Sequence, residues 1–255
     1  MSGLHPAKDP ARLTRAHVVP FAVFMAFMIL LSLVSAKIQW QHPEAPWWRQ
    51  DPAHFIYPVQ TLVTLGLLLH YWKSYTFNWS WKWSGIAVVF GAVGIGFWLL
   101  PTALYDHWGL EGRTSGVLAL LGVDARREGF DPSVFRDPAA WWSVVVLRFL
   151  RAVVVVALVE EIFWRGFLMR FVCDWEGDYW KQPFGRAHWK SYLVVTGMFM
   201  LAHGRIDYAA AFIYGSLTYV LCVWSRSLGA CVLMHATANL LMGLYIMTHG
   251  KYGLW

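Results

Sequence analysis

Seven long apolar runs punctuate the chain, at about 18–36, 55–72, 84–104, 141–172, 190–204, 206–223 and 228–248. Within them polar residues do not recur at helical spacing; residues 22–34 carry almost no polar position, so the run is not one face of a soluble amphipathic helix. About 20 apolar residues cross the hydrocarbon core of a bilayer, and the pattern therefore predicts an all-α, polytopic membrane helical bundle of about seven transmembrane helices. The run at 190–204 is short for a full crossing, so a tilted or re-entrant segment is expected there. The polar stretches between the runs are brief, with one exception. Residues 105–140 form a long connection rich in Gly, Pro, Asp and Arg, with a short apolar piece at 115–123 that reads as an interfacial helix.

This pattern divides the chain into an N-terminal tail, 1–17, and an integral membrane domain, 18–255. Within the latter, 18–140 holds the early spans and the long connection, and 141–255 holds the spans in which polar residues gather. No internal repeat and no appended soluble domain is visible.

Composition agrees. Hydrophobic residues make up 58% of the chain and charged residues only 14%, against roughly 25% charged in a soluble domain. Ten of the 17 Trp, among them Trp72, Trp81, Trp142, Trp189 and Trp255, fall near expected span ends, where indoles favour the interface. The net charge of +6 is read as contact with the anionic headgroups of the lipid bilayer. No basic patch is interleaved with aromatics on a soluble face, so nucleic acid is not an expected partner. With the N-terminus in the cytoplasm, ten Lys and Arg flank the spans inside and eight outside, a slight positive-inside bias. Cys173, Cys222 and Cys231 form no C-x-x-C pair, and neither a disulfide framework nor a zinc knuckle is expected.

Charge inside the apolar runs carries the functional information. Glu160 and Glu161 close the apolar stretch 153–159 and are followed by Arg165. A charge at membrane depth costs roughly 2.5–3.5 kcal/mol on insertion scales, so a double carboxylate needs partners or chemistry to retain it. Two later runs supply polar groups: Phe199 with His203, and His235 with Asn239. Residues four apart share a helix face, so Glu161 can meet Arg165 and His235 can project beside Asn239. At about 1.5 Å rise per residue, Glu160 lies roughly 18 Å from the cytoplasmic end of its span, His203 roughly 20 Å, and His235 and Asn239 roughly 12 and 18 Å. Three helices thus bring four polar groups to one layer.

Such a layer suits hydrolysis. A carboxylate with an imidazole can activate water, and imidazole and carboxamide N–H groups can stabilise an oxyanion. Glu160 is the base candidate and His203 its partner, whereas Glu161 with Arg165 reads as a structural ion pair. Signatures of other intramembrane or metal proteases are missing: no H-E-x-x-H and no G-x-S-x-G occurs.

The set Glu160-Glu161-x-x-x-Arg165, Phe199-x-x-x-His203 and His235-x-x-x-Asn239 resembles the intramembrane glutamic proteases of the CAAX protease and bacteriocin-processing (CPBP) family, in that family's order and on successive late spans. The resemblance covers about 141–255. It implies a membrane protease in which Glu160 and His203 activate water, His235 and Asn239 stabilise the oxyanion, and Glu161, Arg165 and Phe199 support them, with no cofactor. Phe163-Trp164-Arg165-Gly166-Phe167-Leu168-Met169-Arg170 and the stretch from Thr248 to Trp255 further resemble bacterial CAAX-protease-related proteins of exosortase sorting systems. From this follow an expected location in a bacterial inner membrane and a membrane-anchored protein or peptide as substrate.

Two other readings use the same residues. Two imidazoles and a carboxylate are a catalytic zinc set, so Glu160, His203 and His235 could hold zinc. Alternatively the polar cleft binds a partner helix without catalysis, as in an accessory or immunity protein.

Overall fold

The computed structural model describes residues 9–37 and 46–255; readings that fall on Lys8, His5 or His42 lie outside the described residues. The chain divides into two units, 1–76 and 77–255.

In the first unit α1 (Pro10–Lys37) packs against α2 (Pro52–His70). Asp51 starts α2 by accepting a hydrogen bond from the Ala53 amide at 2.7 Å, with Pro52 at the first helical position. Pro20 inside α1 has no N–H to give the carbonyl one turn back, that of Ala16. The Tyr75 hydroxyl donates to that carbonyl at 2.7 Å. Burial, with Tyr71 nearby, holds the Tyr75 phenol above its ordinary range, which keeps it a donor.

The second unit holds α3 (Trp81–His107), the short α4 (Gly116–Leu120), the long α5 (Pro138–Cys173), α6 (Trp189–Leu201), α7 (Tyr208–Ser225) and α8 (Leu228–His249). Its centre is α8 packed against α3, with α5 and α7 alongside. Small residues permit these approaches: a Cβ on Gly91 of α3 would stand 2.6 Å from the Met234 carbonyl of α8, and one on Gly243 of α8 would stand 2.7 Å from the Phe149 ring of α5. Asp137 caps α5 through the Ala140 amide at 2.9 Å. Ser227 caps α8 through the Ala230 amide at 3.1 Å.

Six helices, α1, α2, α3, α5, α7 with its leading turn, and α8, are long and apolar enough to cross a membrane. The fifth expected run, 190–204, forms a shorter helix. α6 has 13 residues, a length of about 20 Å, and ends before His203. Leu62 (62% exposed), Leu69 and Leu201 lie on outer surfaces, while Arg165 heads the largest fully buried side chains among the described residues. Apolar outside and charge inside is the arrangement of an integral membrane protein, whose outward face meets lipid.

The connection 105–140 is folded onto the end of α8. The Lys251 ammonium, 4% exposed, pairs with Asp106 at 2.7 Å and donates to the Ala125 carbonyl at 3.1 Å. The Gly253 amide donates to the Arg126 carbonyl at 2.8 Å, and the Arg126 guanidinium pairs with Asp207. The expected interfacial helix at 115–123 is α4, with Val117 and Leu120 exposed. The Arg148 guanidinium lies 3.8 Å from the Phe130 ring centre and 5.3 Å from that of Trp255.

Candidate active site

α5 changes pitch twice. It is α-helical to Phe149, π-helical over Leu150–Val156, α-helical over Ala157–Glu161, π-helical over Ile162–Leu168, and α-helical again to Cys173. Glu160 and Glu161 thus close a single α turn set between two wide ones, and wide turns are enriched at functional sites.

Adjacent helix positions point about 100° apart, and the two carboxylates meet different surroundings. Glu161 is fully buried and faces two charge partners: Oε1 lies 2.9 Å from His235 Nδ1, and Oε2 lies 3.3 Å from Arg165 Nε. Arg165 is also fully buried; its Nη2 donates to the Gly215 carbonyl at 3.4 Å and its guanidinium stands 5.3 Å from the Phe199 ring centre. Glu160 is half-buried, and among the described residues no side chain makes a hydrogen bond or ion pair with it. It lies near enough to His235 and Tyr214 to act on both electrostatically.

His203 sits in the turn between α6 and α7. Its Nδ1 lies 2.8 Å from the Phe199 carbonyl. A carbonyl only accepts, so Nδ1 carries the proton and the neutral ring presents the Nε2 lone pair. The imidazole is held between the Phe199 ring at 4.6 Å and the Trp98 ring of α3 at 5.2 Å. The same logic applies to His235: with Nδ1–H given to the Glu161 carboxylate, its free edge is Nε2. Asn239 donates through Nδ2 to the Ala152 carbonyl, in the first π segment, at 2.7 Å.

The residues singled out by sequence are distributed as follows. Glu161, Arg165 and His235 form one buried cluster, with Phe199 against the guanidinium. Glu160 borders it, and Asn239 ties α8 to α5. No direct hydrogen bond joins Glu160 to His203. Three features were not anticipated: the bond from His235 to Glu161, the use of Asn239 on a backbone carbonyl, and the aromatic frame of Trp98 and Tyr214 around the histidines. Tyr214 stands among several tyrosines of α7, and no spacing marks it out.

The zinc reading asks Glu160, His203 and His235 to converge. Among the described residues no group of three His, Cys, Asp or Glu side chains is placed to hold a metal ion. The donor chemistry is suitable, with two free imidazole edges and a carboxylate, but the placement does not fit, so no step below is routed through a metal.

No curated protein and no solved structure shows significant similarity to the chain. A family model does match: residues 141–241 fit the model described as Rce1-like, type II CAAX prenyl endopeptidase Rce1-like. The matched segment spans the two carboxylates, both histidines and Asn239, all on the second unit. Over that segment, which is less than half of the chain, the protein is similar to the type II CAAX prenyl endopeptidases, and so to the CAAX proteases of the CPBP family.

Proposed function

We propose that the protein is a glutamic intramembrane endopeptidase that cleaves a membrane-anchored protein or peptide with water activated by Glu160 and His203. The observation that carries this reading is the asymmetry of the carboxylate pair. Glu161 is committed to Arg165 and His235, whereas Glu160, beside it and half-buried, has no hydrogen-bond or ion-pair partner among the described residues. A carboxylate held at depth without a counter-ion is costly unless it does chemistry.

In this reading Glu160 accepts a proton from water while the Nε2 lone pair of His203 orients it. The water oxygen adds to the peptide carbonyl carbon. The oxyanion that forms is met by the remaining N–H of Asn239 and by His235, which can donate only when Nε2 also carries a proton, a form that the Glu161 carboxylate supports. The tetrahedral centre collapses, the C–N bond breaks, and the proton taken up by Glu160 passes to the leaving amine. Burial of the cluster keeps bulk water away from these charges and strengthens each interaction.

The finer assignments belong to this proposal. The slight excess of basic residues on one side supports a cytoplasmic N-terminus in a bacterial inner membrane. The 163–170 and 248–255 strings support a place beside an exosortase-type sorting system, whose membrane-anchored cargo would supply the substrate.

The test is proteomics of protein termini in cells carrying the wild type or Glu160→Gln. A membrane-protein terminus present only with the intact glutamate establishes cleavage and names the substrate; unchanged termini, with the variant at normal level in the membrane, would sink the proposal and favour a non-catalytic accessory role. For the zinc reading, elemental analysis of purified protein decides: a stoichiometric metal lost together with cleavage would favour it.

A further inference from the structure

Tyr214 has no assigned role, yet the fold makes space for it at the centre of the site. Its ring is 3% exposed and is edge-on to His235 at 5.9 Å, stacked on Phe199 at 6.1 Å and edge-on to Trp98 at 6.0 Å. Phe199 and Trp98 are the two rings that hold His203, so Tyr214 is in contact with the surroundings of both histidines. α3 yields to it: a Cβ on Gly94 would stand 2.8 Å from Tyr214 Cδ2. An apolar ring would fill this place equally well, and so the hydroxyl is the feature that calls for explanation.

Among the described residues that buried hydroxyl meets no acceptor, and Glu161 Oε2, in the same layer, is buried and accepts no hydrogen bond, its Arg165 contact having ion-pair distance without hydrogen-bond geometry. A buried polar atom left unsatisfied is destabilising, because it has lost its water and gained no partner. One is a donor, the other an acceptor, and the Glu161 carboxylate is the charge that acts most strongly on the Tyr214 phenol. A hydrogen bond between them would satisfy both.

We propose that Tyr214 is a positioning residue that donates its hydroxyl to Glu161 Oε2 in the working enzyme and so fixes the Glu161 carboxylate that orients His235. With Oε2 held by Tyr214 and Arg165, Oε1 is left to receive His235 Nδ1–H, and the Nε2 edge of His235 is aimed at the reacting layer. This inference rests on the reading of that layer as the catalytic site.

The experiment is infrared difference spectroscopy of the full-length protein in liposomes, wild type against Tyr214→Phe, which removes the hydroxyl and keeps the ring. The expected spectrum contains the phenol bands of one tyrosine and a derivative-shaped carboxylate feature, as one glutamate loses a donor. The same feature should persist in a Glu160→Gln background. Phenol bands alone overturn the proposal, and so does a carboxylate feature that disappears with Glu160, because the acceptor is then the other glutamate. On the peptide named by the lost terminus, Tyr214→Phe should lower kcat about tenfold or more with KM nearly unchanged, as expected for loss of one charge-assisted hydrogen bond. Cleavage retained by Glu160→Gln would remove the glutamic mechanism while the spectra still decide the hydrogen bond, so the two ideas fail separately.

Discussion

Two clusters of ion pairs hold the second unit together, and they differ in what surrounds them. In the membrane layer, Glu161, Arg165 and His235 have side chains between 0% and 7% exposed. At the end of α8, Lys251 is nearly as buried, but its partner Asp106 is 42% exposed. The chemistry of the pairs is similar, but the consequence of breaking them is not. An orphaned Asp106 can turn to water, whereas an orphaned Arg165 or Glu161 has only protein and lipid around it. Buried pairs are therefore hard to break even where they add little net stability, because the penalty falls on the partner left behind.

Substitutions can probe that difference in decreasing size. Arg165→Met leaves Glu161 with His235 alone and should cost about 3–5 kcal/mol, read as loss of folded protein or a large fall in the thermal midpoint in detergent. Glu160→Gln, one residue from the cluster, should leave that midpoint within experimental scatter while cleavage falls by about a thousandfold; a collapse of stability would mean that Glu160 belongs to the structural cluster after all. Asn239→Leu strips the Ala152 carbonyl of its donor and should destabilise by about 1–3 kcal/mol. Lys251→Met, whose orphan is half in water, should cost only about 1 kcal/mol after screening, and the cost should shrink further in high salt. If Lys251→Met instead matched Arg165→Met, the contrast between the two clusters would be lost.

The sequence revealed the pairs that a helix face dictates and concealed those that depend on helix rotation. Glu161 and Arg165 are four apart, and their contact follows from helical pitch alone. His235 is 74 positions from Glu161, and no periodicity states which edge of α8 faces α5. Six of the spans follow directly from apolar length. The fifth run, 190–204, is the short one, because Gly204 and the turn at Ala202 and His203 end α6 after 13 residues; an apolar run records hydrophobicity and does not record where the helix stops. The surroundings of Arg148 are illegible for a related reason. Its aromatic partners Phe130 and Trp255 come from distant stretches, and only the folded connection brings them together. The changes of pitch in α5 have no local signature, since the valines of 153–156 are as compatible with an α turn as with a wider one.

Those changes of pitch have a consequence for length variation in this helix. A π turn accommodates one residue more than an α turn over the same axial advance. Removal of a single residue from Leu150–Val156 could therefore be absorbed by narrowing the turn, with the helix unbroken and its ends still at the two membrane faces. Loss of one residue from a regular stretch of the same helix would instead swing everything beyond it by about 100° and carry the carboxylates off the face that meets α8. The carboxylate-bearing helix thus has built-in slack ahead of its charged turn, and loss of one residue is tolerable there in a way that it is not at Ala157–Glu161 itself.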